Sequence, residues 1–285
     1  MKPRKSDNPP GSLYLVATPI GNLGDITLRA LDILRNADFI AAEDTRVTRK
    51  LLTHFDIGSV KLYSYRAHNR AECGGVLLSL LLSGQSGALV TDAGSPVVSD
   101  PGADLVALCR EAGVTVSVVP GACAAVAALT LSGLPSGRFC FEGFLSHTKK
   151  QRKAHLQSLP GETRAMVFYE APHKLLETLA DFCAVFGPER RVVVCRELTK
   201  IHEEALDFTV GEALEHFTEH TPRGEFTLVV AGLPAQKAQP DIAGAQSAAR
   251  ELLRGGCSVR DAARSAAKQA GVPRREIYEK LIHKG

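Results

Sequence analysis

The sequence predicts an α/β protein: two α/β domains with a cleft between them, followed by a small helical domain at the C-terminus. Three observations predict it. Short apolar runs rich in strand formers alternate with segments of helical spacing from Leu13 to Ala231, the pattern of sheets covered by helices. Two of those runs end in small-residue loops, at 91–102 and 120–124, as buried parallel strands do where they face a ligand. The charge balance then changes late in the chain. From Lys237 onward ten Lys/Arg stand against five Asp/Glu, a net +5, while the remainder carries 24 against 26, a net −2.

The elements follow in order. Residues 13–17 form an apolar strand, 18–25 its loop, and 27–36 a helix with Leu28, Leu31, Ile33 and Leu34 on one stripe. A second strand at 39–42 ends in Glu43-Asp44-Thr45-Arg46, two acids and a base that packing alone does not call for. A helix at 48–55, a strand at 61–65, a polar strand end at 66–70 and a helix at 72–82 lead to the central strand, 88–91. Gly94 and Gly102 in its loop permit backbone angles that other residues resist, and Pro96 and Pro101 fix the angles beside them. A helix at 103–112, a strand at 114–119 and a small-residue helix at 122–131 complete the first domain.

Residues 134–137, Leu-Pro-Ser-Gly, mark a boundary, after which strands at 139–144, 164–169, 191–196, 202–209 and 225–231 come closer together. Helices are expected near 149–159 and 174–186, and antiparallel pairs make this second sheet mixed. The domain expectation is therefore a tail at 1–12, α/β domains at 13–134 and 135–233, a linker at 234–241 and a basic helical domain at 242–285. In that last part, helices near 243–254, 259–270 and 274–283 read as a helix-turn-helix unit. Ser258 and Asp261 form a capping box, Gly271 ends the second helix, and Pro273 opens the third. Contact with nucleic acid and a helical cap on the body both fit that unit.

Composition narrows the class. Hydrophobic residues at 45% and charged residues at 23% describe a globular protein. The seven cysteines are odd in number and scattered with no Cys-x-x-Cys pair, so neither a disulfide framework nor a metal centre is expected. The polar, proline-rich start and the lack of an apolar run of about 20 residues predict a cytoplasmic protein with no membrane contact. No G-x-G-x-x-G follows a strand, no G-x-x-x-x-G-K-[ST] occurs and no H-E-x-x-H appears, which argues against nicotinamide, P-loop and zinc-protease chemistry.

Five ordered motifs carry a specific resemblance: Ala-Thr-Pro-Ile-Gly-Asn-Leu-Gly-Asp-Ile at 17–26, Ala-Glu-Asp-Thr-Arg at 42–46, Asp-Ala-Gly-Ser-Pro at 92–96, Tyr-Glu-Ala-Pro-His at 169–173 and Arg-Glu-Leu-Thr-Lys at 196–200. Together they resemble the ribosomal RNA small subunit methyltransferase I family of the tetrapyrrole methylase superfamily, over about residues 13–232. The resemblance implies a tetrapyrrole methylase-like fold with S-adenosyl-L-methionine held between two α/β domains. It also implies a homodimer that methylates the ribose 2′-oxygen of a cytidine in the decoding region of 16S rRNA, in the small ribosomal subunit.

Carried over residue by residue, the cofactor would meet Thr18 and Pro19, then Asp92, Ala93, Gly94, Pro96 and Val97, then Ala122 and Cys123. On the other side it would meet Tyr169, Leu198, Glu225, Phe226 and Thr227. Tetrapyrrole-modifying relatives have Gly-Asp-Pro where Gly94-Ser95-Pro96 stands here, and a Ser or Thr is commoner where Cys123 sits. Glu43, Asp44 and Glu170 are the candidate catalytic acids, because a ribose hydroxyl is a poor nucleophile and gains from a proton acceptor. Asn22, Arg46, His68, His173, Arg196 and Lys200 would contact RNA, with Arg260, Arg264, Arg274 and Arg275 adding a basic tail. Two other readings compete, a tetrapyrrole-precursor C-methyltransferase and a non-catalytic RNA-binding protein.

Overall fold

The computed structural model describes residues 9–234 and 241–282, so residues 1–8 of the expected tail at 1–12 and most of the expected linker at 234–241 lie outside the described residues. The chain divides into two compact units, up to Leu233 and from Pro234.

The first unit opens with a sheet whose strands are β1 (Ser12–Val16), β2 (Phe39–Ala42), β3 (Lys61–Ser64), β4 (Gly87–Val90) and β5 (Thr115–Val119). Their order is β3-β2-β4-β1-β5, and every pairing is parallel. Between them run α1 (Leu28–Asn36), α2 (Thr45–His54), α3 (Arg70–Leu82) and α4 (Ala103–Glu111). The residues of β2 and β4 are buried throughout, as a strand covered on both faces requires. Alternate side chains go to opposite cores. Ile40, Ala42, Ala88 and Val90 pack with Leu31 and Leu34 of α1 and Leu52 of α2, whereas Phe39, Ala41 and Leu89 pack with Leu77, Leu81 and Leu105 of α3 and α4.

Because the chain leaves β1 toward β2 and returns through β4 to reach β5, the order reverses between β1 and β4. Ligands of open parallel sheets bind at the carboxyl ends of the strands flanking such a reversal. There Thr18 and Gly94 exchange two backbone hydrogen bonds of 2.9 and 3.0 Å, joining the loops after β1 and β4.

Helix α5 (Ala124–Leu131) leads into the second sheet, whose strands are β6 (Phe139–Phe144), β7 (Ala165–Glu170), β8 (Arg191–Arg196), β9 (Glu204–Thr209) and β10 (Phe226–Val230). The order β6-β7-β10-β8-β9 is parallel only between β6 and β7, so the sheet is mixed as expected. One face receives α5, through Ala125, Ala128 and Leu129 against Val167, Val193 and Val229. The other is covered by α6 (Lys149–Gln157), α7 (Leu175–Phe186) and α8 (Val210–Glu219).

Helix α8 was absent from the sequence expectation. Its signal is local: the Thr209 hydroxyl accepts from Glu212 N while the Glu212 carboxylate accepts from Thr209 N, a complete capping box. Helix α2 starts three residues before its expected position because Asp44 caps it, accepting from Arg46 N at 2.8 Å.

The second unit holds α9 (Ile242–Arg254), α10 (Val259–Ala270) and α11 (Arg274–Ile282) around Ala245, Ala249, Ala263, Ala266, Val272 and Ile277. Ser258 caps α10, and Gly271, at φ 64°, ends it in the left-handed conformation that glycine tolerates best. Among the described residues no helix is long and apolar enough to cross a membrane.

Candidate active site

A cavity of about 400 Å³ opens where the carboxyl ends of the first sheet face β7 and β10 of the second. Of the expected residues it gathers Glu43, Asp92, Ala93, Gly94, Cys123, Tyr169, Glu170, Glu225, Phe226 and Thr227. The sequence reading missed Ile20, Thr91, Ser95, Val98, Ser99, Asp100 and Phe144 on the same walls.

The loop after β4 shapes one side. Gly94, Val97, Ser99 and Gly102 all have positive φ, at 84°, 76°, 66° and 138°. For the β-branched Val97 that conformation costs about 1–3 kcal/mol, and strain of this kind concentrates at ligand sites. At Gly102 a Cβ would stand 2.7 Å from Leu89 Cδ2, so the turn admits no side chain. Ser95 Oγ donates to the Ala122 carbonyl at 3.2 Å, fastening this loop to the one after β5. Pro96 is buried and Val97 packs toward the α3–α4 core, so both support the loop from behind the cavity.

The opposite side is aromatic. Tyr169 meets Phe141 and Phe144 edge to face, with centroids 5.1 and 5.4 Å apart. Its hydroxyl accepts from Ala125 N at 3.0 Å at the start of α5, and burial pushes its pKa up to about 12, leaving a neutral phenol. Leu198 is buried beside Cys123 and Tyr169 without lining the cavity.

Acids converge on Thr91. Its hydroxyl donates to Glu43 Oε2 at 3.0 Å, while Asp100 lies beside the same hydroxyl. One hydroxyl has one proton, so the second carboxylate is poorly served. Burial first, then the negative charges of Glu43 and Asp92, push Asp100 up to about 6. Asp92 is also raised, chiefly by burial, although its Oδ1 accepts from Asp44 N at 2.9 Å.

The other two expected acids are engaged in structure. Asp44 caps α2 and is bridged by Arg46 and by Arg66 at 3.1 Å, and the Arg46 hydrogen bond holds its carboxyl well below the usual carboxylate range. It does not line the cavity. Glu170 does line it, but its carboxylate is buried and accepts from Ala171 N at 2.9 Å and Thr178 Oγ1 at 2.5 Å, with Arg152 4.0 Å away.

The expected RNA residues are dispersed. Arg196 donates to the Arg223 carbonyl and to Glu204, and Lys200 bridges Glu197 at 2.8 Å and Glu225 at 3.1 Å. Asn22, His68 and His173 are exposed, and Asn22 caps a short 3-10 turn at Leu23–Asp25. Thr18 and Pro19 line a second hollow beside the first, and the Thr18 hydroxyl donates to the Thr91 carbonyl at 3.1 Å. Arg260, Arg264, Arg274 and Arg275 are exposed on the second unit, with Arg264 paired to Asp261 and Arg275 to Glu279. Among the described residues no group of three or more His, Cys, Asp or Glu is arranged to hold a metal ion.

Residues 12–214, which span the parallel sheet and all but the last-numbered strand of the mixed one, match the tetrapyrrole (corrin/porphyrin) methylase family. A uroporphyrin-III C-methyltransferase from Thermus thermophilus, complexed with S-adenyl homocysteine, shares the fold with a TM-score of 0.56 at 18% identity, over 78% of this chain and 97% of that one. The ribosomal RNA small subunit methyltransferase I of Synechocystis is 49% identical over 94% of this chain and 96% of its own length. That of Escherichia coli O157:H7 is 45% identical over 97% and 96%. The chain belongs to the ribosomal RNA small subunit methyltransferase I family, as the five motifs implied.

Proposed function

We propose that the protein transfers a methyl group from S-adenosyl-L-methionine to a ribose 2′-oxygen of a cytidine in 16S rRNA, acting on the small ribosomal subunit in the cytoplasm. The observation that carries this reading is Glu43, held by Thr91 at the meeting of the two sheets with its Oε1 unengaged by any described donor. Relatives at 45–49% identity that bear the rRNA methyltransferase name support the substrate class.

The residues present fit the cofactor. Tyr169, Phe144 and Phe226 offer an aromatic wall for an adenine, and the 92–95 backbone with Gly94 admits a close ligand. Asp92 and Asp100 supply negative charge for a cationic one. When bound, the cofactor supplies a methyl group already activated on a sulfonium. What remains for the protein is alignment, exclusion of water and a place for the hydroxyl proton.

Glu43 Oε1 accepts that proton, while Oε2 stays fixed by Thr91. Asp44 and Arg66 position it from outside, since Arg66 Nε donates to the Glu43 carbonyl at 2.7 Å and also pairs with Asp44. Glu170, with Thr178 and Arg152, holds the end of β7 and thereby Tyr169 in place. The exposed arginines of the second unit add phosphate contacts, and a homodimer completes the assembly that the family resemblance implies. Glu43→Gln, isosteric and unable to take the proton, is expected to slow single-turnover methylation of small subunits by about 100-fold with cofactor affinity retained. Wild-type turnover by the folded variant would leave catalysis to alignment alone.

A further inference from the structure

Thr91 and Asp92 have two faces. One closes the cavity described above, and the other closes a neighbouring hollow of about 320 Å³ between the loop after β1 and helix α2. We infer that this hollow receives the target nucleotide of a single-stranded RNA segment, its base between Leu23 and Val47 and its flanking phosphates on Arg49 and Lys50. The inference rests on the methyltransferase reading and adds to it where the RNA enters.

Three observations support it. Leu23 and Val47 are apolar yet 41% and 40% exposed, and both line the hollow, which leaves a slot with apolar sides and an open top. Flat bases stack well on such surfaces, and RNA readers take up unpaired bases in this way. The second observation is charge. Helix α2 carries Arg46, Arg49, Lys50 and His54 and no acid, and these four border a shallow groove continuous with the hollow through Lys50 and His54. Asp44 engages Arg46, but no carboxylate among the described residues pairs with Arg49 or Lys50. Unpaired cations spaced on one helix face call for a polyanion.

The third observation is adjacency. Thr91 and Asp92 line both the hollow and the cavity proposed for the methyl donor, and Thr91 donates to Glu43 on the cavity side. A base seated against it brings its own ribose to the Glu43 side. Asp92 accepts from Asp44 N through Oδ1, which leaves Oδ2 to accept from a donor on the base or sugar.

The test uses the full chain with small ribosomal subunits and, separately, a fluorescent 12-residue oligocytidylate. An Arg49→Glu/Lys50→Glu double variant addresses the phosphates and Val47→Asp addresses the slot; all three side chains are exposed, so the fold should persist. Each variant is expected to raise KM for subunits and Kd for the oligonucleotide by about 10-fold or more, with cofactor affinity by calorimetry unchanged. The salt slope of oligonucleotide binding should fall by about 1.4 in the double variant, two phosphate contacts at about 0.7 each. An Arg49→Lys/Lys50→Arg swap should restore binding. Wild-type KM and Kd in both variants, with a wild-type salt slope in the double variant, would overturn the assignment. Failure of the wild-type protein itself to methylate subunits would instead count against the reading on which the inference rests.

Discussion

Asp100 offers a prediction whose size can be worked from its surroundings. Its carboxyl faces Thr91, Glu43 and Asp92, and burial with these two charges moves it from 3.8 to about 6. An acid whose folded pKa lies above its unfolded value binds more protons when folded. It therefore lowers stability as pH rises from about 4 to about 6, and the penalty is complete above that window. A shift of about 2 units corresponds to about 3 kcal/mol, and solvent reaching this half-buried group reduces that to about 1 kcal/mol. Asp100→Asn keeps the shape and removes the charge. Above pH 7 the variant should be more stable than wild type by about 1 kcal/mol, raising Tm by about 2 °C. Near pH 4 the difference should vanish. Thermal melts of both proteins at half-unit steps from pH 4 to 8 measure it directly. A gain that does not change with pH, or an Asp100→Asn protein less stable at pH 7.5, would refute the burial of a reluctant charge at this position.

Two more perturbations probe the same architecture. Gly94→Val places a β-branched side chain at φ 84° with its Cβ 3.4 Å from Ile20 Cγ2, and should weaken cofactor binding by 10-fold or more; unchanged calorimetric affinity in the folded variant would remove this loop from the cofactor site. Ending the chain at residue 240 removes the compact unit bearing Arg260, Arg264, Arg274 and Arg275, which should weaken subunit binding and flatten its salt dependence while cofactor affinity survives. Subunit affinity equal to that of the full chain would show that these helices make no RNA contact.

Much of the fold was legible because burial writes itself into local pattern. The four-residue apolar runs of β2 and β4 have to be strands covered on both faces, and the loop after β4 announces itself through Gly94, Pro96 and Gly102. The site was less legible, because chemistry and structure use the same residue types. Glu-Asp-Thr-Arg reads as a catalytic cluster, yet Asp44 is a helix cap clasped by Arg46 and only Glu43 faces the cavity. Arg196 and Lys200 read as phosphate clamps, but Lys200 meets Glu225, 25 residues away, which no local spacing reveals. Asp100 escaped notice for the same reason, since its environment comes from Thr91 and Asp92 of its own loop and from Glu43 of the loop after β2. Helix α8 is the different case: its Thr209–Glu212 capping box stood in the sequence and was the signal to read.

Methyl transfer from this cavity to RNA of the small ribosomal subunit is the activity proposed above. Its most direct test supplies methyl-labelled S-adenosyl-L-methionine to the protein with small subunits lacking the modification, free 16S rRNA and uroporphyrinogen in parallel. Label in the RNA, recovered after nuclease digestion as a 2′-O-methylcytidine, is the predicted result, with none in the tetrapyrrole. Label in uroporphyrinogen and none in either RNA would contradict RNA methylation, and would assign the Glu43–Thr91–Asp100 cavity to the other chemistry of its fold.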